Sequence, residues 1–174
     1  MKNILDSISG AEALQILKTL CATDADLRRR IEAKVEKVLQ SIAPEDVAAE
    51  VVFDLECIDV EDLWNRSGRT EYGYSTPEEM AVEMVEEVLQ PYEHKIQKYE
   101  KTGLSDSSKK YCMGVLKGIY QFEHESETEF KDWATDIPGE CFAGILEAWK
   151  KGACERDIME MDTYLSCECH RQAE

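Results

Sequence analysis

The sequence predicts an all-α protein, an irregular stack or bundle of about seven or eight antiparallel helices in helical-repeat style. Three observations lead there. Apolar residues recur at three- and four-residue intervals along most of the 174 residues. Start and stop signals cut that pattern into helix-length pieces. No alternating period-2 run of strand length appears; Val51-Val52-Phe53 is the one tempting stretch, and its flanks are helical.

The elements follow in order. Ser9-Gly10-Ala11-Glu12 has capping-box spacing and precedes Leu14, Leu17, Leu20 and Cys21. Asp24 caps the next helix, whose stripe is Leu27, Ile31, Val35, Val38, Leu39 and Ile42. Pro44 suits the first turn of a third helix carrying Val47, Val51, Leu55 and Ile58. Asp59 to Trp64 reads as a short helical turn leading into an irregular loop. Thr76-Pro77-Glu78-Glu79 is the strongest start signal, combining a cap, a proline at the first position and a glutamate three after the cap. Pro91 lies inside that helix and is expected to kink or break it near Gln90, with Gly103 ending it.

Ser105 or Asp106 opens a further helix with Cys112, Val115, Leu116, Ile119 and Tyr120 inward. Gly114 and Gly118 lie four apart on one side, and each costs a helix about 1 kcal/mol against alanine. A close neighbour is the expected reason. Ser126 to Glu129 restarts a turn into Phe130 and Trp133, Asp136-Ile137-Pro138 begins a helix ended by Gly152, and Ile158, Met161 and Leu165 mark a last helix that frays from about 166. No clean repeat and no internal linker is visible, so one domain over 1–174 is expected.

Composition narrows the function. Hydrophobic content is 43%, charged content 33% and the net charge −17. Such a chain repels phosphate backbones and anionic lipid, so neither nucleic acid nor a membrane surface is an expected partner. The start is no signal peptide and no stretch approaches the ~18 apolar residues of a spanning helix, so a cytoplasmic protein is expected. Its cysteines number seven; Cys21, Cys57, Cys112 and Cys141 fall among apolar helix positions, which suits reduced thiols used as small hydrophobes.

No Gly-x-Ser-x-Gly and no phosphate-cradling glycine loop is present, no histidine completes a Glu-x-x-His or His-Glu-x-x-His pattern, and no cofactor is expected. Metal binding is not expected either; the alternative is a site from Cys154, Cys167, Cys169 and His170, whose Cys-x-Cys-His spacing is tighter than zinc pairs usually show. The loop from Trp64 to Tyr74 is the candidate ligand- or partner-binding site. Arg66 and Arg69 can fork onto carboxylate or phosphate, Trp64, Tyr72 and Tyr74 offer stacking area, and His124 and Trp133 are candidates to complete it. The competing reading is structural: both arginines pair with internal carboxylates while the aromatics plug a gap between helices. On that reading Trp64→Ala costs about 3–5 kcal/mol as a core truncation.

The runs Asp59 to Trp64, Arg66 to Thr70 with Gly73-Tyr74, Tyr111 to Tyr120, and Phe130 to Ala134 resemble an uncharacterised group of prokaryotic all-helical proteins, over roughly 9 to 150. That resemblance implies a helical fold and no particular activity. Leu14 to Val38 is also similar to helical segments found beside SWIM zinc fingers. The finger itself is missing: Cys167-Glu168-Cys169 is followed directly by His170, with no later Cys-x-His pair. The expected function is a non-catalytic protein-interaction module with a protein partner. The alternative is a binder of small anions, or an enzyme, with its pocket at the Trp64–Tyr74 loop.

Overall fold

The computed structural model describes residues 8–70 and 73–170, without the side chains of Gln40, Arg69, Thr70, Cys169 and His170. Apart from one short two-stranded ribbon, the described part is all-α, with eight α-helices. The chain divides into two units, Met1–Ser41 and Ile42–Glu174.

The first unit is a helix pair, α1 (Gly10–Thr23) and α2 (Ala25–Gln40). The capping box at Ser9 is formed: its hydroxyl accepts from the Glu12 N–H, and the Glu12 carboxylate accepts from the Ser9 N–H at 2.8 Å. Asp24 alone joins the helices, its carboxylate accepting from the N–H groups of Asp26 and Leu27 at 2.9 Å. Arg28 Nε donates to the Cys21 carbonyl at 2.9 Å. The expected apolar stripes are present, but α1 contains no buried residue.

The second unit holds α3 (Pro44–Glu56), α4 (Val60–Arg66), strands β1 (Gly68–Thr70) and β2 (Gly73–Ser75), α5 (Pro77–Lys101), α6 (Ser105–Glu125), a 3-10 turn Glu129–Trp133, α7 (Ile137–Lys150) and α8 (Glu155–His170). Helices α3, α5, α7 and α8 all pack against α6. This follows from the sequence of α6, which is apolar or small on nearly every side: Tyr111, Cys112, Met113, Gly114, Val115, Leu116, Gly118, Ile119 and Phe122 are all buried.

The two glycines of α6 have the expected packing reason. A Cβ at Gly114 would lie 2.6 Å from the Pro44 carbonyl oxygen and 2.6 Å from Val47 Cβ. One at Gly118 would lie 2.7 Å from Val51 Cβ and 2.8 Å from the Ala48 oxygen. Helix α3 therefore rests directly on the α6 backbone.

Helices α5 and α6 reverse through Thr102-Gly103. Gly103 adopts φ +75, and its N–H and that of Leu104 bond to the carbonyls of Glu100 and Tyr99 at 2.9 Å. The seam between the two helices is aromatic. Tyr111 stacks near Tyr92 (6.3 Å between centroids) and meets Tyr99 edge-on (5.7 Å), while Lys95 Nζ sits 4.4 Å from its centroid. Tyr92 donates its hydroxyl hydrogen to Asp54 at 2.6 Å, tying α5 to α3.

On the α8 side, α6 buries a lysine. Lys109 Nζ donates to Asp157 at 2.8 Å and to Glu160, and the side chains of Lys109 and Asp157 are each only 7% exposed. Cys154 donates its thiol hydrogen to the other Asp157 oxygen at 3.0 Å. Burial pulls the ammonium pKa down, but its hydrogen bonds to Asp157 and Glu160 outweigh that and leave it above its usual value. Asp157 is correspondingly held below the ordinary carboxylate range, first by Lys109 and then by the Cys154 bond.

Several expectations need correction. Pro91 does not break α5, which is continuous from Pro77 to Lys101. Pro91 lies on the exposed side of the helix. The segment after Arg66 is not merely irregular: Gly68 pairs with Ser75, Arg69 with Tyr74 and Thr70 with Gly73, antiparallel. Strands of three residues are too short to show an alternating pattern. Cys57 is exposed as the C-cap of α3 and is not a core thiol. Helix α8 continues to His170, past the expected fraying point.

Substitutions at two places in the core, with a control in α7, test this packing. Gly118→Ala gains helix propensity but drives a methyl into the α3 backbone; the expected outcome is a net loss of about 1–3 kcal/mol in denaturant melts. Gly144→Ala in α7, where a Cβ meets nothing within 4 Å, is the control and should be neutral or slightly stabilising. Lys109→Met strands Asp157 and should cost about 3–5 kcal/mol, with much of the loss recovered by adding Asp157→Leu. Equal melts for Lys109→Met and its parent would remove the ion pair from the core.

Candidate functional site

The loop singled out in the sequence is built from α4 and the ribbon. Asp59 caps α4, accepting from the Glu61 N–H at 2.8 Å, and the Ser67 hydroxyl closes its other end on the Leu63 carbonyl. Leu63 anchors the helix, fully buried, while Trp64 on the next position is 51% exposed. Trp64 meets Trp133 edge to face with centroids 4.9 Å apart. Arg66 Nη1 donates to Glu87 Oε2 of α5 at 2.8 Å, with side chains 45% and 60% exposed. That bond, with the nearby charges of Glu87, Asp62 and Glu83, raises the guanidinium pKa above its usual value.

Tyr74, on β2, is 73% exposed. Tyr72 and the side chain of Arg69 lie outside the described residues. His124 stands in the last turn of α6, its ring stacked on Tyr120 at 4.0 Å and its Nδ1 3.0 Å from the Tyr120 carbonyl. The structure thus brings Trp64 together with Trp133 and turns Arg66 onto a carboxylate. Arg66 pairs with a carboxylate of its own chain at an exposed surface, and Trp64 covers a surface and is not a core plug.

At the other end of the chain, Cys154 is engaged with Asp157 and Cys167 is exposed, while the side chains of Cys169 and His170 lie outside the described residues. Among the described residues no group of three or more His, Cys, Asp or Glu is arranged to hold a metal ion. Among them, too, no helix is long and apolar enough to cross a membrane.

A surface that sequence reasoning missed lies between α5 and α7. Two adjoining cavities, about 280 and 430 Å³, share Glu93, Gly144 and Ile145 and form one groove. Its floor is apolar: Ile96, Ile145 and Trp149 are nearly fully buried. The α7 wall stays low because Gly144 and Ala148 carry little or no side chain. The rims are acidic, with Glu86, Glu93 and Glu100 from α5 and Glu140 from α7. Among the described residues no ion pair engages any of these four.

The groove electrostatics follow. Burial, joined by the Glu86 charge, raises the Glu93 carboxyl; burial raises Glu100, whose Oε1 is buried without a hydrogen-bond partner. Cys141 faces the same carboxylates. Burial first, then Glu86, Glu93 and Glu140, push its thiol up to about 11. At neutral pH it stays protonated and is no nucleophile. One signal in the sequence pointed here. Val82, Glu86, Gln90, Glu93, Gln97 and Glu100 recur at three- and four-residue steps along one face of α5. The same pattern fits an ordinary solvated face.

No family model, curated protein or solved structure matches this chain.

The loop geometry sets magnitudes that differ from those of a core plug. Trp64→Ala should cost about 1–2 kcal/mol, because the ring is half in solvent and loses mainly its edge-to-face contact. Arg66→Ala should cost at most about 1 kcal/mol, as expected of an exposed ion pair. Thermal melts of both variants check this, and a loss of several kcal/mol at Arg66 would mean that Glu87 is buried in solution.

Proposed function

We propose that this chain is a non-catalytic protein-interaction module whose α5–α7 groove takes a basic amphipathic helix of a partner protein. The observation that carries the reading is the pairing of an apolar floor with four carboxylates that form no ion pair among the described residues, Lys101 and His94 acting on Glu100 and Glu93 only from beyond ion-pair distance. A basic amphipathic helix supplies both complements, apolar side chains for the floor and ammonium or guanidinium groups for the rims. Charge of one sign lining a cleft also speeds encounter with an oppositely charged partner. The six described cysteines are free thiols, which fits a cytoplasmic setting.

The Arg66–Glu87 bond weighs against an anion pocket at the Trp64–Tyr74 loop. An incoming anion must displace Glu87 and then sit near Asp62 and Glu83.

The test is a titration with two synthetic helical peptides of one apolar pattern, lysine-rich and glutamate-rich. Trp149 fluorescence and peptide anisotropy are read. Only the lysine-rich peptide should bind, and Glu93→Gln with Glu100→Gln should weaken it. Equal binding of both peptides, or no binding of either, overturns the reading.

The same carboxyls fix a pH dependence. A carboxyl raised on folding binds more protons folded than unfolded. Its contribution to stability therefore falls as pH rises from the ordinary carboxylate range through the raised value, and the loss is complete above it. Glu93→Gln and Glu100→Gln should raise the Tm at pH 7, and the gain should vanish on acidification below the ordinary carboxylate range. Peptide affinity should run the other way, strengthening as pH rises through that window.

A further inference from the structure

We infer that the helix received by the α5–α7 groove carries cations at seven-residue steps beside its apolar stripe, so that they meet Glu86, Glu93 and Glu100 together. This rests on the groove's assignment to a basic amphipathic helix and adds the spacing that selects one such helix from another. Along α5 the groove is lined by Glu86, Gln90, Glu93, Gln97 and Glu100, at alternating steps of four and three. Every second one is a glutamate, and the two between are neutral amides. Helix α5 runs without a break from Pro77 to Lys101. Each seven-residue step therefore spans about 10.5 Å and the whole row about 21 Å, about four turns.

Seven residues fall about 20° short of two full turns, so the row drifts slowly around α5. A docked helix with cations at the same steps has the same rise and the same drift. A gentle left-handed coil then keeps all three pairs within reach. Steps of five or six residues turn the next cation more than about 100° away from the rim.

The second wall fixes the other side of the occupant. Ile137, Cys141, Gly144 and Ala148 of α7 follow the same four-three rhythm but are apolar or small. Among the described residues, Glu140 is the single carboxylate that α7 places on the groove, so the repeating row belongs to α5. Residue number rises in the same direction along both walls: 82–93 line the groove with 137–145, and 93–100 with 144–149. One helix can therefore follow both, its apolar stripe toward α7 and the floor, its cations toward α5. Charges flanking an apolar seam set partner choice and register between packed helices.

Three helical peptides of about three heptads test this, each with the same apolar stripe and three lysines. In the first the lysines stand at seven-residue steps beside the stripe. In the second the middle lysine alone is moved two residues, onto the far side; in the third all three are moved. Trp149 fluorescence and peptide anisotropy are read. The first peptide should bind about fivefold more tightly than the second and about a hundredfold more tightly than the third. Glu93 faces the middle lysine whichever way the peptide runs. Glu93→Gln should therefore abolish the advantage of the first peptide over the second, and Glu86→Gln should leave it. Equal affinity of the three peptides, or an advantage that survives Glu93→Gln or is lost equally in Glu86→Gln, overturns the spacing and leaves the basic-helix reading standing. Failure of all three to bind overturns both.

Discussion

The contact between α3 and α6 governs the second unit. Gly114 and Gly118 remove the side chains that would hold the helices apart, and Val47 and Val51 descend onto the bare α6 backbone. Because α3 sits so low, the remaining circumference of α6 is left for α5, α7 and α8. Each finds a different surface there: an aromatic seam toward α5 and a buried ion pair toward α8. A central helix wrapped in this way has little polar exposure of its own, which is why Lys109 can exist there only with Asp157 and Glu160 beside it.

Local signals were legible in the sequence, and relations between distant segments were not. The caps at Ser9, Asp24 and Thr76 and the stop at Gly103 each depend on a few adjacent residues, so their spacing alone revealed them. The glycine pair of α6 was legible as a cost without a local benefit, which is the mark of tertiary packing. Lys109 gave no such sign. Its partners lie 48 and 51 residues away, and a lysine among polar neighbours reads as solvent-facing. Pro91 does not interrupt the helix, because its missing N–H and its ring can be accommodated on the solvent side of a long, well-packed helix.

At the candidate sites the division is similar. Arg66 was expected to find a carboxylate, and in so acidic a chain the probability favoured it; that the partner would be an exposed Glu87 required knowing how α4 lies on α5. Trp64 illustrates a general limit. Residue type shows that a side chain could be buried, while the angle at which its short helix docks decides whether it is. The α5–α7 groove was hidden for another reason. Small residues such as Gly144 and Ala148 announce no chemistry, and what they create is an absence between two helices, visible only once both are in place.

The three tryptophans occupy two separate optical environments. Trp64 and Trp133 form a close, nearly perpendicular pair at the surface, while Trp149 lies under the groove floor at 3% exposure. Indoles at that separation and inclination couple their electronic transitions. The chain should therefore show an exciton feature in circular dichroism that belongs to the packing of α4 against the 3-10 turn. Emission from the buried Trp149 should be blue-shifted relative to that of the exposed Trp64. Loosening of the α4 region and filling of the groove thus register in different spectra of the same unlabelled molecule.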